Sequence, residues 1–120
     1  MVMSESMRNR LTSLKTHWCG NLKKVNAGEK VTLTGWVATI RDLGGIIFVE
    51  MRDRSGLFQI VADPRINPEV HKVFGSLKDE YVIKISGLVT QRPQDTQNVN
   101  LPTGEIEVYP ESIEILSQAQ

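Results

Sequence analysis

The amino-acid sequence predicts a mainly β fold that contains one helix. Apolar residues recur at every second position in five separate stretches, which is the spacing of strands with one buried face. Glycine-containing turns separate the first three stretches. Between the third and fourth strands, the spacing changes to that of an amphipathic helix. The chain has 120 residues, 40% of them hydrophobic, which is enough for one domain with a small core.

The first three strands are predicted from residues 31–64. The letters DLGG at 42–45 and DRSG at 53–56 predict the two turns between them, because glycine tolerates the backbone angles of tight turns. Alternation then separates an inward from an outward side in each strand. The residues predicted to face the core are Val31, Leu33, Val37, Ile47, Val49, Met51, Phe58 and Ile60.

The outward side of the second and third strands carries two unusual residues. Phe48 falls on the same side as Glu50 and Arg52. An aromatic residue there either covers an end of the barrel or offers a surface on which a base can stack, and the residue alone leaves both open. Gln59 is predicted to face outward as well, because a buried amide needs hydrogen-bond partners.

The helix follows the third strand. Asn67 is a suitable N-cap and Pro68 suits the first helical position. The apolar stripe of this helix consists of Val70, Val73, Phe74 and Leu77. His71 points away from that stripe and is predicted to be a solvated surface residue, not a catalytic base.

Two further strands complete the pattern. Residues 81–89 predict the fourth strand and residues 104–116 the fifth, bent near Pro110. Between them, residues 91–103 form a long polar loop, and loops of that length in compact domains are commonly functional.

Three strands, a helix and two strands are the element order of the OB-fold, a five-stranded Greek-key barrel. OB-folds bind ligands on the face of strands two and three and on the loops that join strands 1–2 and 4–5. Phe48 and Gln59 lie on that predicted face, Arg41 borders the first loop, and residues 91–103 form the second. The unusual features of the sequence therefore converge on one surface.

Composition limits the classes of function. Fourteen basic and fourteen acidic residues give a net charge of zero, which argues against a general electrostatic nucleic-acid binder but leaves room for a specific one. No apolar run is long enough to span a membrane, and the first residues lack the apolar core of a secretory signal. The single cysteine fits a reducing compartment, so we expect a cytoplasmic protein.

The N-terminal part is less informative. Residues 1–14 are polar and aperiodic and are predicted to be a flexible leader, with the domain spanning 15–120. His17 and Cys19 are possible metal ligands, but they lack partners at zinc-like spacing, so local packing of Trp18 and Cys19 is the favoured interpretation. Residues 21–29 are expected to hold a short helix or turn.

Several motifs together resemble one known family. They are THWCGNL at 16–22, VTLTGWV at 31–37, RDLGGIIFVEMRDRSGLFQIV at 41–61, DP at 63–64, DEYVIKISGLV at 79–89, RP at 92–93 and NLPTGEIEV at 100–108. Over roughly residues 16–118, the sequence resembles the N-terminal anticodon-binding domain of bacterial-type aspartyl-tRNA synthetase.

The resemblance implies a tRNA partner, tRNA-Asp, and roles for five residues. Phe48 is implied to stack on the middle base of the anticodon, and Gln59 to hydrogen-bond to that base. Glu107 is implied to recognise the first anticodon base, while Arg41 and Arg92 are implied to contact the anticodon loop.

The sequence departs from the family at two positions. Thr39 and Ile40 stand where the family usually has two arginines, so two positive charges are missing from the expected RNA face. The motifs of a class II catalytic domain do not occur either. The resemblance therefore implies that ATP, Mg²⁺ and aspartate are used by a catalytic domain outside this chain, in a parent protein that is a homodimer.

Two alternatives stay open at this stage. A free-standing paralogue could bind RNA or a protein partner without any ligase activity, and the length of the open reading frame would distinguish it from a domain of a synthetase. A general single-strand-binding protein would bind unrelated oligonucleotides equally, and the neutral charge argues against it.

Overall fold

The computed structural model describes residues 15–93, 96–97 and 103–118. Within them lie five strands, one α-helix and two short 3₁₀ turns. The elements are the 3₁₀ turns Cys19–Asn21 and Lys24–Asn26, strands β1 Lys30–Leu43, β2 Ile46–Asp53 and β3 Gly56–Ala62, helix α1 Pro68–Phe74, and strands β4 Val82–Gln91 and β5 Ile106–Ser117. The predicted leader 1–14 and most of the predicted loop 91–103 lie outside the described residues.

The five strands close into a barrel in the order β1-β2-β3-β5-β4. Strands β3 and β5 run parallel, while every other neighbouring pair is antiparallel. Helix α1 connects β3 to β4. The predicted five-stranded OB-fold with one helix between strands 3 and 4 is therefore confirmed.

An irregularity in β1 determines which of its side chains face outward. Residues 30–36 pair with β4 and residues 36–43 pair with β2, so β1 contributes to both halves of the barrel. The register shifts between Val37 and Thr39, which is the mark of a β-bulge. Beyond the bulge, Ile40 packs against the core and Arg41 is exposed.

The barrel interior contains the side chains that alternation predicted. All eight residues predicted to face the core are buried. Helix α1 adds Val70 and Phe74, and its predicted N-cap is confirmed because the Asn67 side chain accepts a hydrogen bond from the Val70 N–H at 3.1 Å.

The N-terminal segment packs against the turn between β2 and β3. Cys19 is fully buried, and its backbone N–H donates to Asp53 Oδ2 at 2.8 Å, while the Gly20 N–H donates to Ser55 Oγ at 2.8 Å. The packing interpretation of Cys19 is therefore confirmed. Among the described residues, no three potential metal ligands come together.

His71 lies outside the apolar stripe, as predicted, and it makes a contact that the sequence did not predict. Its side chain is half-buried, and Nε2 lies 2.7 Å from the carbonyl oxygen of Gly45 in the β1–β2 turn. A carbonyl oxygen only accepts, so the ring nitrogen donates this hydrogen bond. The helical periodicity could not predict this contact, because it depends on where the folded barrel places the turn.

Within the described part of the chain, no helix has the length and apolar character needed to cross a membrane.

Strand β5 bends where the sequence predicted. The pairing with β4 shifts register between Ser86 and Gly87, opposite Ser112 and Pro110. Gly87 sits tightly in this irregular pairing: a Cβ atom added to it would lie 2.6 Å from the Tyr109 carbonyl oxygen and 2.8 Å from the Pro110 Cα. The bend in β5 therefore requires glycine at position 87 of β4, where no side chain can be accommodated.

We expect Gly87→Ala to lower the free energy of unfolding by about 2–3 kcal/mol, because the backbone of β5 must move away from the new methyl group. Chemical denaturation measures this change. Leu88→Ala is the matched control, since Leu88 is the next residue in β4 and its side chain is exposed. Equal stability of both variants would contradict the expectation.

Candidate nucleic-acid interface

Strand pairing arranges the outward side chains of β1, β2 and β3 in rows across the barrel. In one row Arg41 pairs with Phe48, which pairs with Val61. In the next row Thr39 pairs with Glu50, which pairs with Gln59. The parallel pairing of Ile60 with Val108 brings the outward residues of β5 beside those of β3. We call the surface formed by Arg41, Phe48, Glu50, Gln59 and Glu107 the outer face.

Phe48 lies on the outer face as predicted. It is partly exposed and does not belong to the buried core, whereas its chain neighbours Ile47 and Val49 do. The paired residues on either side of it are Arg41 and Val61. An aromatic ring held on a rigid strand in this way can stack on any base, because every base has a π face.

Gln59 and Glu107 form a hydrogen-bonded pair beside Phe48. Gln59 Nε2 donates to Glu107 Oε1 at 2.9 Å. The two residues are only 8% and 4% exposed, although both occupy outward strand positions. An ionised carboxylate only accepts hydrogen bonds, so this contact fixes which end of the Gln59 amide points toward Glu107. The pair therefore presents a defined set of donors and acceptors.

Tyr109 supports the same pair and was missed by the sequence analysis. Its hydroxyl is hydrogen-bonded to Glu107. Burial raises the pKa of Tyr109, and the charge of Glu107 and this hydrogen bond raise it further. Tyr109 follows Glu107 at the strand period of two, so alternation along the fifth strand could have placed it on the same side as Glu107, whose role the resemblance implied.

Glu50 lies in the middle of the outer face. Its carboxylate oxygen Oε1 accepts a hydrogen bond from Thr39 Oγ1 at 2.8 Å. Thr39 is one of the two residues that stand where the resembling family usually has arginine. The second, Ile40, points to the barrel interior and packs against the core.

The two arginines predicted for the site have different environments. Arg41 is exposed on the outer face. Arg92 is only 6% exposed, and its guanidinium donates to the carbonyl oxygens of Ile106 at 3.1 Å and Thr96 at 3.4 Å. Burial lowers the pKa of Arg92, while the charges of Glu107 and Glu50 act in the opposite direction. Arg92 therefore braces the β4–β5 loop close to the outer face.

Charges of both signs lie on and beside the outer face. Arg41 and Arg92 are positive, Glu50 and Glu107 are negative, and the exposed Arg52 adds a positive charge on the same side of β2 as Phe48. Such a mixed surface attracts phosphate groups less than a uniformly basic one, so contacts with bases carry more of the binding. An aromatic ring, an amide and two carboxylates are suited to that task, because they offer stacking together with directional donors and acceptors.

The β1–β2 turn at the edge of the face is held from two sides. Gly44 and Gly45 have φ angles of 64° and 92°, which side chains other than glycine rarely adopt. The Gly45 N–H donates to Asp42 Oδ1 at 2.9 Å, and the Gly45 carbonyl accepts from His71.

Comparison with known proteins agrees with this fold. Residues 31–116 match the family described as an OB-fold nucleic acid binding domain. The chain therefore belongs to the tRNA anti-codon family of OB-fold nucleic acid binding domains.

Relatives within that family are aspartate–tRNA(Asp/Asn) ligases. The protein of that name from Acaryochloris marina is 49% identical over 104 residues, which cover 87% of this chain and 18% of the relative. The one from Thermotoga maritima is 51% identical over 106 residues, covering 88% of this chain and 18% of the relative. The chain thus spans less than a fifth of the length of these relatives, and the resemblance to aspartyl-tRNA synthetases is confirmed.

A solved structure provides a third comparison. The asparaginyl-tRNA synthetase from Pyrococcus horikoshii, complexed with asparaginyl-adenylate, aligns with a TM-score of 0.71 and 28% identity. The alignment covers 87% of this chain and 23% of that one.

Replacing Arg92 by methionine should lower the free energy of unfolding by about 1–3 kcal/mol, because the carbonyls of Ile106 and Thr96 lose their donor. Amide exchange measured by mass spectrometry should also become faster around residue 92. The control is Arg41→Met, which removes the same charge from an exposed position and should leave stability unchanged. Equal effects would show that Arg92 is not a structural brace.

Gln59→Glu should make stability depend on pH. The new carboxyl group would face Glu107 in a site that is largely buried. Because burial and mutual repulsion disfavour two carboxylates, the pKa of this carboxyl pair is higher in the folded state than in the unfolded state. We expect a loss of about 2 kcal/mol at pH 7 relative to wild type. This loss should shrink as the pH falls and the pair takes up a proton. Thermal unfolding across a pH series measures it; a constant difference would contradict the expected coupling.

Proposed function

We propose that this chain binds the anticodon loop of tRNA-Asp through its outer face. The observation that carries the proposal is the placement of a partly exposed Phe48 next to the Gln59–Glu107 pair on the outer face. Membership of an OB-fold nucleic acid binding family supports it, as do relatives named as aspartate–tRNA(Asp/Asn) ligases.

In this proposal each residue of the face has a distinct task. The middle base of the anticodon stacks on Phe48, and Gln59 hydrogen-bonds to its Watson–Crick edge through the amide N–H that Glu107 does not occupy. Glu107 accepts from N1–H and N2–H of a guanine at the first anticodon position. Arg41 contacts the phosphate backbone from the exposed edge of the face.

Arg92 has two tasks in the proposal. It orders the β4–β5 loop through backbone carbonyls, and it approaches the anticodon loop with the guanidinium donors that those carbonyls leave available.

The wider setting is proposed from the relatives. The chain would act as the anticodon-binding part of an aspartate–tRNA ligase, and the attachment of aspartate with ATP and Mg²⁺ would take place in a class II catalytic domain outside this chain. We further propose that the parent protein is a homodimer located in the cytoplasm.

Fluorescence titration with synthetic anticodon stem-loops tests the proposed function. A stem-loop with the tRNA-Asp anticodon should bind more tightly than one in which the three anticodon bases are replaced, at one fixed salt concentration. Equal affinity for both RNAs would refute anticodon recognition, and it would favour a general single-strand binder.

Phe48→Ala should weaken binding of the tRNA-Asp stem-loop by about 1–3 kcal/mol, because stacking with the middle base is lost. The free energy of unfolding should fall by less than it would for a buried core phenylalanine, since Phe48 is partly exposed and lies outside the buried core. Val25→Ala is the control: Val25 is an apolar residue that is highly exposed and lies away from the outer face. A stability loss of roughly 3–5 kcal/mol in Phe48→Ala would instead identify Phe48 as part of the core.

A further inference from the structure

A carboxylate at the centre of a surface that binds RNA requires an explanation. Glu50 repels phosphate, and the roles implied for Arg41, Phe48, Gln59 and Glu107 do not include it. Its position is nevertheless well defined, because it pairs with Thr39 on one side and with Gln59 on the other. It also follows Phe48 by two positions, so its side chain emerges on the same side of β2 as the ring.

The Glu50 carboxylate is held in place by one of its two oxygens. Thr39 Oγ1 donates to Oε1 at 2.8 Å. Glu50 is half-buried, and its charge, like those of Glu107 and Arg41, acts on Arg92. A carboxylate has about four acceptor positions, and the hydrogen bond from Thr39 uses one of them. The carboxylate is therefore anchored and can still accept a hydrogen bond.

We propose that Glu50 is a specificity-determining residue, which accepts an N–H from the base that stacks on Phe48. This inference rests on the proposed function, because it assumes that Phe48 stacks on a base. The ligand chemistry that Glu50 would recognise is the imino N3–H of uracil, flanked by carbonyl groups to which Gln59 can donate.

The chemistry of the two pyrimidines makes this selection possible. At neutral pH, N3 of uracil carries a hydrogen and donates, whereas N3 of cytosine carries a lone pair and accepts. An ionised carboxylate has acceptors only, so it can accept a hydrogen bond from uracil N3–H. Against cytosine N3, which is also an acceptor, two lone pairs would face each other without a hydrogen between them. Gln59 alone discriminates less, because a glutamine amide both donates and accepts.

Glu50→Gln separates specificity from charge. The variant keeps an oxygen that can accept from Thr39, while its new amide N–H can donate to cytosine N3. The preference for a middle uracil over a middle cytosine should fall by about tenfold. Affinities of wild type and variant are measured for two stem-loops that differ only at the middle anticodon base, at one salt concentration.

Glu105→Gln is the matched charge control. Glu105 is exposed and immediately precedes β5, two residues before Glu107, so it carries charge near the outer face without being one of its residues. Removing its charge should strengthen binding of both stem-loops by a similar factor and leave their ratio unchanged. Because the ratio of the two affinities cancels the general charge effect, it reports on contact with the base.

The outcomes distinguish this inference from the proposed function. A wild-type protein that binds neither stem-loop would refute the proposed function itself. A wild-type protein that prefers uracil, with the same preference in Glu50→Gln, would refute the role of Glu50 alone. A reduced preference in Glu50→Gln but not in Glu105→Gln would support it. Circular dichroism of both variants verifies that they are folded.

Discussion

The bulge in β1 is the constraint on which the rest of the interface depends. One strand must pair with β4 over its first half and with β2 over its second half for the barrel to close. The register shift between Val37 and Thr39 makes room for this change, and it also shifts the alternation of inward and outward residues by one. Without it, Arg41 would point into the core and Ile40 into solvent. Closure of the barrel and the presentation of Arg41 and Thr39 thus share one cause.

The outer face uses hydrogen bonds among its own side chains to orient them before any ligand arrives. Thr39 holds Glu50, while Gln59 and Tyr109 hold Glu107. Each of these contacts restricts a side chain that would otherwise lose conformational freedom on binding. The acceptors needed for base recognition are therefore ordered in the free protein, which partly offsets the weaker attraction that a surface of mixed charge exerts on phosphate.

The sequence could predict what local periodicity controls. Alternation identified the inward residues of the first three strands, and the Asn67-Pro68 pair identified the start of the helix. Periodicity could not show that Glu107 is almost buried, because its burial results from the parallel pairing of β3 with β5, whose residues are distant in sequence. The same limit applies to Arg92, whose carbonyl partners depend on the path of the β4–β5 loop.

The two loops that border the outer face are both tied to the barrel, although by different means. Arg92 donates to the Thr96 carbonyl within the β4–β5 loop and to the Ile106 carbonyl at the start of β5, and Gln97 Nε2 donates to the Arg92 carbonyl at 3.2 Å. His71 reaches from the helix to the Gly45 carbonyl of the β1–β2 turn. Helix α1 therefore packs against the barrel core through Phe74 and contacts the β1–β2 turn through His71. These two residues are less than one helical turn apart, so core packing and the position of the turn are coupled. A substitution that displaces the helix should therefore alter the geometry of the interface, even where no residue of the outer face is changed.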